Sequence, residues 1–218
     1  MNIRILCLNI LYLMGTCYTA AIPQIFLPLI KKKTHRRAND YYLLCCCGVY
    51  IFLIFMSIMV IDNFEVEFSL PSIWWIGIII AAPAVIIAME YLIGIIALMF
   101  EGKKAKGFSV NTNWKGCSAI GFVATLMIGT LEEIMYREVW ADIILYNMSL
   151  SIGLFCVLSS CFYAMNHIYF GYTVFVQKLF TGIILSALYI ISGYCITVPV
   201  TIHILQNLAI LLVGRRKT

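Results

Sequence analysis

Residues 72–100 read SIWWIGIIIAAPAVIIAMEYLIGIIALMF, and Glu90 is the one acidic or basic side chain among them. A helix needs about 20 mostly apolar residues, at 1.5 Å of rise each, to cross roughly 30 Å of hydrocarbon. This run exceeds that and has length left over for tilt. Similar runs flank it. Upstream lie 5–30 and 41–61; downstream lie 120–140, 155–175, a shorter one after Lys178, and 195–213. The whole chain agrees, with 218 residues, 63% hydrophobic and only 11% charged, and a mean hydropathy of +0.98. Soluble domains are roughly 45–50% apolar and about 25% charged. A soluble enzyme, a disordered tail and a secreted disulfide scaffold are thereby excluded. The expected fold is all-α: a polytopic transmembrane helical bundle of seven spans, one integral membrane domain over 1–218.

The net charge of +5 comes from short basic clusters between the apolar runs. No aromatic-interleaved basic groove exists to follow a phosphate backbone, so no nucleic-acid partner is expected. The clusters instead set orientation, because cytoplasmic loops carry the Lys/Arg excess. With Lys31–Lys33, Arg36 and Arg37 inside, Lys103, Lys104, Lys106, Lys115, Lys178 and Arg215–Lys217 fall on the same side. Of the 15 Lys and Arg, only Arg4 and Arg137 do not, and the acidic stretch at Asp62, Glu65 and Glu67 falls outside. The N-terminus is then external and the C-terminus cytoplasmic. The first run has a single Arg before it, is too long for a signal peptide and lacks a small-x-small site, so it reads as a span kinked by Pro23 and Pro28. Trp74 and Trp75 read as interface anchors, and Lys178 as a headgroup contact at the inner end of the fifth span. The nine cysteines include no Cys-x-x-Cys pair and read as small polarizable hydrophobes.

Ionisable groups inside hydrocarbon cost at least about 2.5–3.5 kcal/mol each on insertion scales. They concentrate in three places: Glu132-Glu133-Ile-Met-Tyr-Arg137-Glu138, Tyr163-Ala-Met-Asn166-His167, and His203-Ile-Leu-Gln206-Asn207. Residues four apart share a helix face, so Glu133 pairs with Arg137 while Glu132 points about 100° away, free for other work. Tyr163 with His167, and His203 with Asn207, share faces in the same way. Glu132 and His167 each fall about 12 residues into their spans and His203 about 8, which is near mid-membrane. Any one of these residues alone reads as a bundle-stabilising polar contact. Two imidazoles, a spare carboxylate and a carboxamide at convergent depth read as a site.

The set suits amide hydrolysis. A carboxylate in a low-dielectric pocket can take a proton from water, with a histidine to share it and pass it to the leaving amine. His203 and Asn207 can face the oxyanion of a tetrahedral intermediate. The same Glu132, His167 and His203 form a His2Glu set that would suit a catalytic zinc, and the residues alone leave both options open. No His-Glu-x-x-His helix is present.

These residues carry a resemblance. Glu132-Glu133-x-x-x-Arg137, then Tyr163-x-x-x-His167, then His203-x-x-x-Asn207 resembles the CPBP family, the CAAX proteases and bacteriocin-processing enzymes also labelled Abi, over about residues 117–213. Tyr163 stands where the family usually has Phe. Residues 1–116 carry no motif. The resemblance implies intramembrane proteolysis of a hydrophobic or lipidated peptide or protein. Eukaryotic members trim prenylated CAAX proteins; bacterial ones are associated with peptide maturation and bacteriocin self-immunity. It also implies roles: Glu132 and His167 activate water, His203 and Asn207 hold the oxyanion, and Glu133 and Arg137 support them. No cofactor is then needed, as in a metal-independent glutamate protease. Family members often have eight spans. The compact chain suits a bacterial plasma membrane, and a eukaryotic source would place it in the endoplasmic reticulum.

Two other classes compete. A catalytically idle membrane scaffold or immunity protein would have no use for the complete polar set. A proton-relaying transporter would be expected to show inverted repeats and broken half-helices. Glu90 receives no role from the sequence.

Overall fold

The computed structural model describes residues 3–33, 38–61, 64, 66, 68, 72–102 and 118–215, and among these every regular element is a helix. In chain order they are α1 (Ile3–Thr16), α2 (Ala21–Lys33), α3 (Ala38–Ser57), α4 (Trp74–Phe100), α5 (Ala119–Glu133), α6 (Ile152–Met165), α7 (Tyr172–Ile191) and α8 (Thr197–Arg215). Helix α5 runs on through two wider, π-type stretches, Ile134–Val139 and Asp142–Asn147. Helices satisfy their own backbone polar groups, which is what hydrocarbon demands. Four helical stretches are long and apolar enough to cross a membrane: Asn39–Ser57, Trp74–Phe100, Ala119–Asn147 and Tyr172–Ile191. Ile3–Thr16, Ile152–Met165 and Thr197–Val213 are apolar but shorter. The protein is an integral membrane helical bundle.

Several boundaries depart from the hydropathy runs. The run 5–30 is two helices, and the break falls at residues 17–20, before the prolines. There, polar side chains take over backbone carbonyls, as Ser, Thr and Cys do when they compete with the helix. Thr16 Oγ1 donates to the Tyr12 carbonyl at 2.9 Å, Cys17 Sγ to Leu13 at 3.0 Å and Thr19 Oγ1 to Thr16 at 3.1 Å. The amide of Ala20 donates to Asn166 Oδ1 at 2.8 Å, so a distant side chain satisfies the break.

The run 155–175 is likewise divided. Helix α6 ends at Met165, and a turn containing a short 3₁₀ segment, Ile168–Phe170, leads to Gly171 at φ 115°, a conformation that suits glycine. Hydropathy is blind to this turn because Ile168, Tyr169 and Phe170 are themselves apolar. Lys178 therefore lies within α7, in the bundle, and not at a headgroup boundary. The fourth run, read to Trp140, continues to Asn147. The charges at 36–37, 62, 65, 67, 103–115 and 216–217 lie outside the described residues.

Helix α5 is the hub: α3 and α8 pack against it, α6 packs along α7, and α4 lies against α7 and α8. The core gathers round the first π-type stretch, where Tyr136, Trp140, Phe155 and Tyr163 are fully or almost fully buried. A second cluster joins Ile86, Leu185 and Ile202 from α4, α7 and α8. Gly182 lets α6 and α7 meet closely, since a Cβ there would lie 3.0 Å from the Ser160 Cα and 3.2 Å from the Tyr163 ring. That close approach brings the Gly182 carbonyl and Tyr163 beside the polar end of α5. Much of the outward surface is apolar, as at Phe55, Ile80 and Phe100, which is what a lipid-facing bundle presents.

Candidate active site

Glu132 and Glu133 are the last two residues of the regular part of α5. Adjacent positions point in different directions, and here the two carboxylates have different surroundings. Glu133 is 0% exposed. Its Oε2 lies 3.1 Å from Arg137 Nε, also 0% exposed, in an ion pair bent away from hydrogen-bond geometry. Its Oε1 lies 2.7 Å from His203 Nδ1 on α8. Arg137 donates through Nη2 to the Gly182 carbonyl at 3.3 Å and sits over the Tyr163 ring at 4.6 Å from its centroid. The i, i+4 pair expected from the sequence therefore forms, and it is anchored to α6, α7 and α8. Fully buried charges need this degree of partnering.

Glu132 faces the other way. It lines a cavity of about 550 Å³ that is also lined by His167, His203 and Asn207. Its Oε2 lies 3.9 Å from His203 Nε2, and its Oε1 accepts from Tyr50 OH at 3.3 Å. The two ring nitrogens of His203 are thus divided, Nδ1 to Glu133 and Nε2 toward Glu132 and the cavity. His167 sits at the end of α6, where its Nδ1 is 3.2 Å from the Tyr163 carbonyl. A carbonyl can only accept, so Nδ1 carries the proton there, and in the neutral ring Nε2 keeps a lone pair. Tyr163 separates the imidazoles, with its ring 5.2 Å from that of His167 and 5.9 Å, edge to face, from that of His203. Asn207 packs beside Gly129, where a Cβ would come within 2.9 Å of its Nδ2.

All four residues expected to act on substrate therefore border one cavity, and the two expected to support them lie behind its wall. Other contributors escaped the sequence reading. Tyr50, Cys46 and Tyr42 of α3, from the half of the chain without a motif, form part of the same wall. Asn166 lines it too, and ties the turn before His167 to the break after α1 through Ala20 and to Tyr136 OH. In one dimension Tyr50 is one aromatic among many in an apolar run. Among the described residues no three His, Cys, Asp or Glu side chains are gathered as ligands for a metal ion, Glu132, His167 and His203 included. The buried cysteines Cys46 and Cys47 are unpaired thiols.

Comparison with known proteins adds a family. Residues 114–209 match the family described as Rce1-like, type II CAAX prenyl endopeptidase Rce1-like. The matched segment contains Glu132, Glu133, Arg137, His167, His203 and Asn207, in agreement with the CAAX protease resemblance read from those motifs. Neither a curated protein nor a solved structure matches the chain.

Proposed function

We propose, on the premise that residues 114–209 form an Rce1-like CAAX protease domain, that this protein is an intramembrane endopeptidase acting on hydrophobic or lipidated peptides. The observation that carries the proposal is the single cavity bordered by Glu132, His167, His203 and Asn207. A water held between Glu132 and His167 Nε2 gives up a proton as its oxygen attacks the scissile carbonyl carbon. The carbonyl π pair moves to oxygen. With a proton on each ring nitrogen, His203 donates Nδ1–H to Glu133 and Nε2–H to that oxyanion, and the Asn207 amide supplies a second donor. One such donor is worth roughly 2.7–4 kcal/mol. When the C–N bond breaks, the abstracted proton passes to the departing nitrogen, which leaves as an amine.

Glu133 and Arg137 take no part in proton transfer in this scheme. They hold the His203 ring, as carboxylates do for catalytic histidines elsewhere. The chemistry is read as metal-free, since the three side chains that a zinc would need are committed to separate partners. The setting is read as a bacterial plasma membrane, N-terminus outside, with peptide maturation or self-immunity as the purpose.

The test uses protein in detergent and a set of hydrophobic and prenylated peptides. Wild type should cleave, and Glu132→Gln and His167→Ala should each lose a hundredfold or more in rate, about the contribution of an acid–base group. Chelation by EDTA or phenanthroline should leave the rate unchanged. Equal cleavage by all three proteins overturns the assigned roles, and binding without turnover by all three indicates a scaffold instead.

A further inference from the structure

Glu90 and Lys178 form a second ion pair, which the hydrolytic scheme does not use. Lys178 Nζ on α7 lies 2.8 Å from Glu90 Oε1 on α4, with the side chains 15% and 13% exposed. Thr181, three residues along α7, donates to the same Glu90 oxygen at 2.8 Å, and Gln177 Nε2 donates to the Glu90 carbonyl at 2.6 Å. Three successive polar contacts from α7 thus clamp one residue of α4. A pair this dry is costly to assemble and needs a reason to be there.

Lys178 also belongs to the wall of the cavity that holds Glu132, His167 and His203, and among the described lining residues it is the sole Lys or Arg. Arg137, the other buried cation, is occupied by Glu133 behind the wall. An ammonium has three N–H donors. Glu90 takes one, and among the described residues no other acceptor reaches Nζ. Two donors are left for whatever enters. The lining around them is largely apolar, with Phe170, Val174 and Ile210 nearby in the wall. Such a place rejects an unpaired anion and accepts one that can reach those donors.

We infer that Lys178 receives the free carboxylate at the C-terminus of a peptide, so that substrates are taken by their chain end and cut near it. The inference rests on reading the cavity as a peptidase site. A peptide terminus is the anionic group that hydrolysis itself brings into this cavity. The phosphate of an anionic lipid offers the same charged oxygens, and the experiment separates the two. A terminal amide would leave the ammonium donors unpaired. Charge-assisted hydrogen bonds of this kind correspond to a preference of about 10- to 100-fold for acid over amide.

The experiment offers full-length protein in detergent one hydrophobic peptide sequence ending in a carboxylate or in an amide. Binding is read by fluorescence anisotropy on Glu132→Gln protein, and cleavage on protein with Glu132 intact. Acid should exceed amide by about 10- to 100-fold in both Kd and kcat/KM. With Lys178→Met that ratio should collapse to about one. Because Lys178→Met strands Glu90, the double variant Lys178→Met with Glu90→Gln removes the pair together and should show the same collapse. Phosphatidylglycerol, compared with phosphatidylcholine, should not displace the peptide acid. A preference that survives in both variants overturns the inference, as does equal handling of acid and amide by wild type. Displacement of the acid by phosphatidylglycerol through Lys178 assigns the site to lipid and overturns it too. Selective binding of the acid without any cleavage would keep Lys178 in its role and defeat the peptidase reading alone. Cleavage without selectivity does the reverse.

Discussion

Replacing Arg137 by Met takes away a guanidinium that is 0% exposed and leaves Glu133, equally buried, with His203 as its remaining described partner. Breaking one side of a buried ion pair costs about 3–5 kcal/mol, mostly because the surviving charge is stranded. The lost contacts to the Gly182 carbonyl and the Tyr163 ring fall within that figure. Glu132→Gln is a different perturbation. It is isosteric, the site is 6% exposed and borders the cavity, and its one hydrogen bond, from Tyr50, is long at 3.3 Å. Its stability cost should be about 1 kcal/mol or less, while peptide cleavage falls by roughly a hundredfold or more. Denaturant unfolding in detergent, followed by tryptophan fluorescence, measures the first quantity, and a fluorogenic peptide measures the second. Arg137→Met combined with Glu133→Gln should unfold less readily than Arg137→Met alone, because the stranded charge is gone. If Arg137→Met unfolds with wild type, or Glu132→Gln unfolds as early as Arg137→Met, the division of labour between the two adjacent glutamates is wrong.

Tyr50→Phe removes the donor to Glu132 and should lower kcat by several-fold, the equivalent of about 0.5–1.5 kcal/mol, with KM little changed; an unaltered kcat would show that Tyr50 merely packs. Tyr163→Phe deletes a fully buried hydroxyl that has no hydrogen-bond partner among the described residues. It should leave the protein as stable or more stable by roughly 1 kcal/mol, and a loss of that size would mean the hydroxyl is paired. Gly129→Ala would place a methyl 2.9 Å from Asn207 Nδ2, so the amide must turn. A fall in kcat of about tenfold with near-normal unfolding is expected, less than deletion of an oxyanion donor; full activity would remove Asn207 from the oxyanion site.

Membrane residence was legible in one dimension because hydropathy is a sum over neighbours in the chain, and runs such as 72–100 need no tertiary information. The six motif residues were legible for a related reason. Ionisable groups are rare in apolar runs, so Glu132, Glu133, Arg137, His167, His203 and Asn207 stand out without any structure. Spacing of four correctly paired Glu133 with Arg137, since that geometry belongs to a single helix. The breaks were not legible. Residues 17–20 and 166–171 are apolar enough to continue a run, and what interrupts them is hydrogen bonding and backbone shape. One of those bonds, from Ala20 to Asn166, joins residues far apart in the chain.

The sequence by itself determined that this chain lives in a membrane, is helical, and carries its chemistry in three short motifs, because composition and local periodicity act over a few turns. Only the tertiary structure decided that Glu133 clamps His203, that Tyr50 from a motif-free helix bonds Glu132, and that Lys178 turns inward to Glu90 instead of outward to headgroups. Each of those is a contact between helices. Whether a polar side chain meets lipid, water or a partner depends on which helix packs against it, and no local pattern in the chain encodes that.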